Sequence, residues 1–397
     1  MLKHKFQECT PQAKIKVREV IRHGSNPFKR VAKLMSRCLS VLWKFVTAHH
    51  SSIEIMAMHE LRGFVEMLRE SQAPHSGSFW GELDVEEMFP NIPKHLIPTA
   101  VRFYWDMMCR AQEKRPSDLV FHIHKSSDKM LDHAAGPSRS QSFHRVPLND
   151  LIAFIHWDLL FNDRLVNFSS IFAQQTGCPM GGSCSAQYAS IVLNYLERSV
   201  DWTLLPPIVR YRDNYLVYAS PLWSPHPHSF VRSSPSIDSA QQFLTQVKRT
   251  ISCDSTLKLT VEGWGQSMPF LDSEVLISGG LPNIEVKPPV FATAPGDSQP
   301  AAHRRLLDCQ SPNSQRMLLS LVPNLVKKCA WYRFDTCSFI QNVRKVSSLL
   351  IRKGYPSTWW RPLLLAKAET IGLQQHARSG IQLALAQLHG PGAGESN

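Results

Sequence analysis

Apolar residues return every three or four positions across residues 28–48, placing Val31, Leu34, Met35, Cys38, Leu39, Leu42 and Phe45 on one helical face. Residues 53–69 keep the same period and predict a second helix. Residues 79–85 read instead as a short strand, and residues 93–109 return to a helical pattern with Val101, Phe103, Trp105 and Met108. The polar stretch 126–142 holds Gly136-Pro137-Ser138 and predicts an exposed loop. Residues 185–198 predict a helix with a face of small and apolar side chains, Ala186, Ala189, Ser190, Leu193 and Leu196, suited to close packing. Apolar runs at 208–211 and 215–218 flank the polar Arg212-Asp213-Asn214, the pattern of a tight hairpin. Residues 219–236 are dense in Pro, Ser and His and predict a loop. Asp238 then caps a predicted helix through Ile251, with Phe243, Leu244 and Val247 inward. Asp335 caps another over 336–353, with Phe339, Ile340, Val343, Val346 and Leu350 on one face and Gly354 as its stop. The last residues, 390–397, are too polar and glycine-rich to fold, and no internal repeat is evident.

A chain of 397 residues with 43% hydrophobic content suits one large unit with subdomains. A formal charge of +12 and a pI near 9.3 favour a polyanionic partner, nucleic acid or an anionic membrane surface, over a merely soluble basic surface. No run of about 18 apolar residues is present, and the start Met1-Leu2-Lys3-His4-Lys5 lacks the apolar core of a signal peptide. Nine cysteines are scattered without a Cys-x-x-Cys pair, which argues against zinc and suits a reducing compartment. An intracellular protein, the nucleus included, is the expectation.

Two carboxylates stand where chemistry is expected. Asp84 closes the predicted strand, and Asp213 sits in the predicted hairpin turn. Adjacent strands would bring both to one edge of a sheet. Carboxylates brought together in this way could hold divalent ions. Magnesium accepts two carboxylates and a carbonyl while keeping several waters. Taken singly, Asp84 is an ordinary strand-end carboxylate and Asp213 an ordinary turn former.

Three blocks in order change that balance. They are Glu82-Leu83-Asp84-Val85-Glu86-Glu87-Met88-Phe89-Pro90, then Gln174-Gln175-Thr176-Gly177-Cys178-Pro179-Met180-Gly181-Gly182-Ser183-Cys184-Ser185, then Val209-Arg210-Tyr211-Arg212-Asp213-Asn214-Tyr215-Leu216-Val217-Tyr218. The second block has no Gly-Lys-Ser/Thr ending, so an ATPase reading fails. Together the blocks resemble the palm motifs of reverse transcriptases, most closely those of Penelope-like retroelement polymerases. Asn214 departs from the usual Tyr-x-Asp-Asp.

The resemblance implies an α/β (α+β) right-hand polymerase: partial fingers over 1–78, an antiparallel, ferredoxin-like palm over 79–290 and a basic helical thumb over 291–389. It implies that Asp84, Asp213 and the Val85 carbonyl hold two magnesium ions, with manganese an alternative, and that Asn214 assists. Phe89 would lie under the sugar and exclude a 2′-hydroxyl, with a core Phe as the alternative reading. Gln174, Gly177, Pro179, Met180 and Gly181 would contact the nucleotide, and Arg18, in Arg18-Glu19-Val20, its triphosphate. Phe270-Leu271-Asp272 resembles a hairpin that holds the primer end. Lys327, Lys328, Arg344 and Lys345 would grip a duplex backbone, the alternative being a solvated helix face. The family carries a longer segment ahead of the fingers, so the chain is expected to begin inside them. The implied partners are an RNA template, a DNA or RNA primer and deoxynucleoside triphosphates. Two rival readings stay open: a decayed remnant that binds nucleic acid without extending it, and an RNA-templated RNA polymerase.

Overall fold

The structure is a computed structural model that describes residues 28–49, 52–57, 59–71, 77–125, 133–135, 141–160, 164–167, 170–173, 176–178, 182–220, 237–252, 257–271, 273–286, 314–333 and 335–386. Two helices, α1 (Lys29–His49) and α2 (Glu60–Ser71), lead into strand β1 (Phe79–Val85). A single turn, α3 (Met88–Asn91), and the long α4 (Leu96–Ala111) follow. A small sheet comes next, β2 (Val120–His124), β3 (His133–Ala135) and β4 (Phe143–Val146), in the order β3-β2-β4. Helix α5 (Leu148–Leu160) precedes the paired strands β5 (Arg164–Asn167) and β6 (Ser170–Ala173), and then comes α6 (Ser185–Glu197). The hairpin β7 (Ile208–Tyr211) and β8 (Asn214–Ala219) is followed by α7 (Ile237–Ser252) and β9 (Leu259–Gly265). Strands β10 (Ser267–Phe270), β11 (Ser273–Ser278) and β12 (Leu281–Val286) form a meander. Four helices close the described chain: α8 (Ser314–Trp331), α9 (Thr336–Arg352), α10 (Ser357–Glu369) and α11 (Gln374–Ala386).

The organising element is the antiparallel sheet β7-β8-β1-β9. Side chains on successive strand residues point to opposite faces, and here both faces are buried. Phe79, Leu83 and Val85 of β1, with Tyr215, Val217 and Ala219 of β8, enter one core built with α1, α4, α5, α6 and α7. Trp80, Leu216 and Tyr218 enter a second core built with α2, the β10–β12 meander and α8–α11. The sheet is therefore a wall shared by two cores. Helix α7 can lie directly on it because residue 81 is Gly: a Cβ there would stand 2.4 Å from a Leu244 methyl.

The hairpin, β1, α7 and the helix after Asp335 match the expectations from the pattern. Asp335 accepts from the Ser338 amide at 2.7 Å in a reciprocal capping box, and Gly354, at φ 74°, ends α9. Asp238, expected to cap α7, instead falls inside it, because α7 already begins at Ile237. Three further expectations are corrected. The expected helix over 53–69 starts only at Glu60, because Ile53 and Ile55 instead bond the edge strand β7: the Arg210 amide donates to Ile53 O and the Ile55 amide to Arg210 O, both at 2.8 Å. Apolar residues two apart fit a strand as well as a helix, and pairing with β7 decides. Within 126–142, His133–Ala135 pair with β2 rather than remaining loop. Val31 faces solvent at 41% exposure, since it lies in the first turn of α1, beyond the packed part of that face.

Pairing of residues 53–55 covers the open edge of β7 and carries a carboxylate inward. Arg210, fully buried in the middle of β7, makes a bidentate bond to Glu197 at the end of α6, Nε to Oε1 at 2.7 Å and Nη2 to Oε2 at 2.9 Å. Its Nη1 lies 3.4 Å from Glu54 Oε1. Burial pushes the Glu197 carboxyl up against the opposing pull of Arg210, while burial would lower the Arg210 pKa and the two glutamates outweigh it in raising it. A guanidinium so placed keeps its charge. Among the described residues no helix is long and apolar enough to cross a membrane.

Arg210→Leu would strand two buried carboxylates without their cation, so it is expected to cost about 3–5 kcal/mol of stability, read as a shift in the urea midpoint at constant slope. A loss below about 1 kcal/mol would mean that the network is not what closes this edge.

Candidate active site

Asp84 is the penultimate residue of β1, and the ladder places it directly opposite Asn214, the first residue of β8. One step further, the Val85 amide donates to the Asp213 carbonyl at 3.0 Å. Asp84, Val85, Asp213 and Asn214 thus meet at one end of two neighbouring central strands, as the sequence reading expected. On the other side of β1, the Thr260 hydroxyl of β9 donates to the Asp84 carbonyl at 3.3 Å, and the Glu86 amide to Lys258 O at 2.8 Å. Both neighbours fix the strand end. Asp84, Asp213 and Asn214 are each half-exposed, so the carboxylates can be reached from outside the sheet.

The turn has two residues, Arg212 and Asp213, between the paired Tyr211 and Asn214. Arg212 has φ 63°, the left-handed value that tight hairpins require. The Asn214 amide nitrogen lies 2.9 Å from Asp213 Oδ1. An ionised carboxylate only accepts, so Asn214 must present its NH2 there. Asn214 occupies one lone pair of the carboxylate that a cation would use.

Glycine 177 joins the second block to the first. Its φ is 76°, and a Cβ on it would lie 2.2 Å from the Phe89 carbonyl oxygen and 2.4 Å from that of Pro90. The neighbouring Cys178 amide donates to Phe89 O at 2.8 Å. Only a residue without a side chain allows this backbone-on-backbone approach. Phe89 itself is half-buried against the larger core. Burial first, then the nearby Asp158 charge, pushes the Cys178 thiol up to about 12, so it stays a neutral packing group. Asp158 accepts from the Tyr188 hydroxyl at 3.0 Å. Gln174, Pro179, Met180, Gly181 and Arg18 lie outside the described residues.

Phe270 and Leu271 do fall at a hairpin, the turn between β10 and β11; Phe270 is buried, Leu271 is exposed with φ 54°, and Asp272 lies outside the described residues. Of the expected backbone-gripping cations, Lys327, Lys328 and Arg344 are half-buried on α8 and α9. Lys345 pairs with Glu285 of β12, which ties α9 to the meander and already matches that charge.

Sequence reasoning missed the groups that hold the turn. Arg210 Nη1 donates to the Arg212 carbonyl at 2.8 Å, and the Tyr215 hydroxyl donates to Glu197 Oε1 at 2.5 Å. Glu54 accepts from Ser190 Oγ at 2.6 Å, Asn194 Nδ2 at 2.6 Å and Trp43 Nε1 at 2.9 Å. The available signal was an arginine inside the apolar run Ile208-Val209-Arg210-Tyr211, which demands buried carboxylates but does not say which. Chemically, the strand ends offer hard oxygen donors and no sulfur or imidazole. Among the described residues no group of three or more His, Cys, Asp or Glu is gathered as a metal site. Two carboxylates with a main-chain carbonyl suit an ion that keeps most of its waters, as magnesium does.

Comparison of the whole fold gives a telomerase from Candida albicans, solved with a fragment of telomeric RNA, at TM-score 0.50 and 10% identity, over 90% of this chain and 54% of that one. The chain shares its fold with a telomerase. The apo telomerase of Candida tropicalis gives TM-score 0.46 at 10% identity, over 90% of this chain and 57% of the other. A Sicinivirus RNA-dependent RNA polymerase gives 0.33 at 12% identity, over 78% and 54%. The chain spans about half the length of these solved chains. No family model matches the sequence, and no curated protein matches it. At 10% identity the likeness is one of architecture alone, a mixed α/β fold with antiparallel sheets.

Gly177→Ala is expected to lower stability by about 1–3 kcal/mol, because a Cβ must enter the space of two carbonyl oxygens at a left-handed backbone. Thermal melting of the variant checks this, and an unchanged midpoint would show that the two blocks do not bear on each other.

Proposed function

We propose that the protein is an RNA-directed DNA polymerase, a reverse transcriptase of the Penelope-like retroelement kind. The observation that carries the reading is Asp84 at the end of β1 across the ladder from the Asp213-Asn214 turn. In this reading β1, β7, β8 and β9 belong to the palm, and α8–α11 form the thumb. Magnesium ions, or manganese, held by Asp84, Asp213 and the Val85 carbonyl would activate the primer 3′-hydroxyl and neutralise the incoming triphosphate. Asp84 and Asp213 bring the negative charge that such ions need. Phe89, fixed through its main chain by the second block, stands near enough to Asp84 in sequence to flank the sugar and exclude a 2′-hydroxyl. Gln174, Gly177, Pro179, Met180 and Gly181 line the nucleotide, and Arg18 contacts its triphosphate. Phe270, Leu271 and Asp272 hold the primer end. Lys327, Lys328 and Arg344 contact the template–primer backbone, joined by Lys345 when Glu285 releases it. The substrates are an RNA template, a primer and deoxynucleoside triphosphates. A basic chain with pI near 9.3 fits these polyanions.

The test is primer extension on an RNA template with Asp84→Ala and Asp213→Ala. Each is expected to abolish extension while leaving template–primer affinity nearly unchanged, since several kcal/mol of transition-state stabilisation are lost. Extension that survives in Asp213→Ala would sink the assignment.

A second reading has its own observation: the Asn214 amide already occupies Asp213 Oδ1 at 2.9 Å. A site closed in this way and one negative charge short fits a protein that binds nucleic acid and extends it poorly or not at all. Asn214→Asp separates the two readings. It sets two carboxylates at hydrogen-bonding distance, so without a divalent ion the variant is expected to melt below wild type, and magnesium should restore it. If wild type is inert and Asn214→Asp extends primers, the weakened-site reading holds. An Asn214→Asp protein that ignores magnesium in both melting and extension would remove this turn from the metal site.

A further inference from the structure

Arg212 is an unexpected residue for its position. The first residue of a two-residue hairpin turn at φ 63° favours Gly or Asn, since a Cβ crowds the backbone there. The side chain is nevertheless long, and it is fastened. Its guanidinium lies 4.5 Å from the centre of the Trp43 ring on α1, and Nη1 donates to Ser190 Oγ on α6 at 3.1 Å. Ser190 passes the contact on by donating to Glu54. The main chain of the same residue is held separately, because Arg210 Nη1 donates to the Arg212 carbonyl at 2.8 Å.

The consequence falls on the next residue. The Arg212 carbonyl belongs to the peptide plane before the Asp213 Cα, and the Asp213 carbonyl, which accepts from the Val85 amide, to the plane after it. A residue with both flanking peptide planes fixed has its φ and ψ set, and with them the direction of its Cα–Cβ bond. The Arg212 side chain adds a third restraint by anchoring the tip of the hairpin to the helices behind the sheet.

We propose that Arg212 is a positioning residue for Asp213: stacked on Trp43 and bonded to Ser190, it holds the turn so that the Asp213 carboxylate stays beside Asp84. The inference rests on reading Asp213 as a cation ligand. Arg212 touches no substrate; it acts through the turn. A glycine at this position would satisfy φ and let the tip swing. Arginine gives up local comfort for a fixed carboxylate.

The test uses the full chain as wild type, Arg212→Gly, Arg212→Lys and Asp213→Ala. Binding of manganese alone is followed by the electron paramagnetic resonance signal of the free ion, with thermal melting in parallel. Arg212→Gly is expected to melt close to wild type yet to bind manganese about 10–100-fold more weakly, the range for losing a group that orients a metal ligand. Arg212→Lys keeps the charge over Trp43 and should recover part of that affinity. In primer extension the magnesium requirement should rise in the same order, with primer KM unchanged. Equal manganese affinity in wild type and Arg212→Gly overturns the positioning role while leaving the cation site intact. Wild type that binds manganese no better than Asp213→Ala overturns the site itself, and the inference with it. If Arg212→Gly does not fold, Arg212→Met supplies the same comparison, and wild-type manganese affinity in that variant overturns the proposal.

Discussion

Arg210 is the charge around which the rest of the molecule is arranged. It sits in the middle of a buried edge strand, where a lone guanidinium would not be tolerated, and it meets Glu54 from the segment before α2 and Glu197 from the end of α6. Each partner comes from a different element, so satisfying the charge also joins those elements. Arg212, reached through Ser190, makes two arginines against two glutamates, a cluster close to neutral overall. Tyr215, Asn194 and Trp43 supply the remaining donors to the carboxylates. Burial of ion pairs is rarely a source of net stability by itself. Its value here is specificity, because few other arrangements of these strands and helices would leave all of the charges matched.

The two cores extend this constraint. Trp80 and Tyr218 pack on one face of the central sheet, with ring centres 5.0 Å apart, while Leu83 and Tyr215 pack on the other. Neither face can slip without opening a core, and a register shift of one residue would send each side chain into the opposite core. The end of the sheet where Asp84 and Asp213 meet is half-exposed, whereas β8 behind it is buried from Tyr215 to Ala219. Rigid support with an open end is the arrangement that a preorganised charge site needs. The Gly177 approach to Phe89 and Pro90 adds a third chain segment to the same region.

Local signals were legible in the sequence and distant pairings were not. The β7–β8 hairpin could be read because its strands are apolar and its turn is polar. The α9 helix could be read because Asp335 and Gly354 mark its ends. Ile53 and Ile55 were misread because their spacing serves two structures, and only β7, far along the chain, chooses between them. Strands β2–β4 and β10–β12 are short and irregular in pattern, so their pairing is settled by neighbours rather than by period. The positions of Asp84 and Asp213 were foreseen from strand-end and turn chemistry. The roles of Glu54 and Glu197 were not, since a glutamate in a helical or extended stretch looks solvated until its arginine is placed. Lys345 shows the converse: a cation expected at a surface is matched by Glu285.

The pairing of β1 with β8 has a consequence for how the chain reaches this structure. The β7–β8 hairpin needs only a two-residue closure, and units of that kind form within about 1–10 μs. β1 cannot join it until much of the intervening chain has been brought round, and β9 pairs in turn with β1. Closure of long loops carries its entropy cost before the contacts that repay it, so the central strand arrives late. Until then the hairpin exposes an apolar strand on the side that β1 will cover, and Arg210 waits for partners from both directions along the chain. The two carboxylates can therefore come together only once β1 has paired with β8.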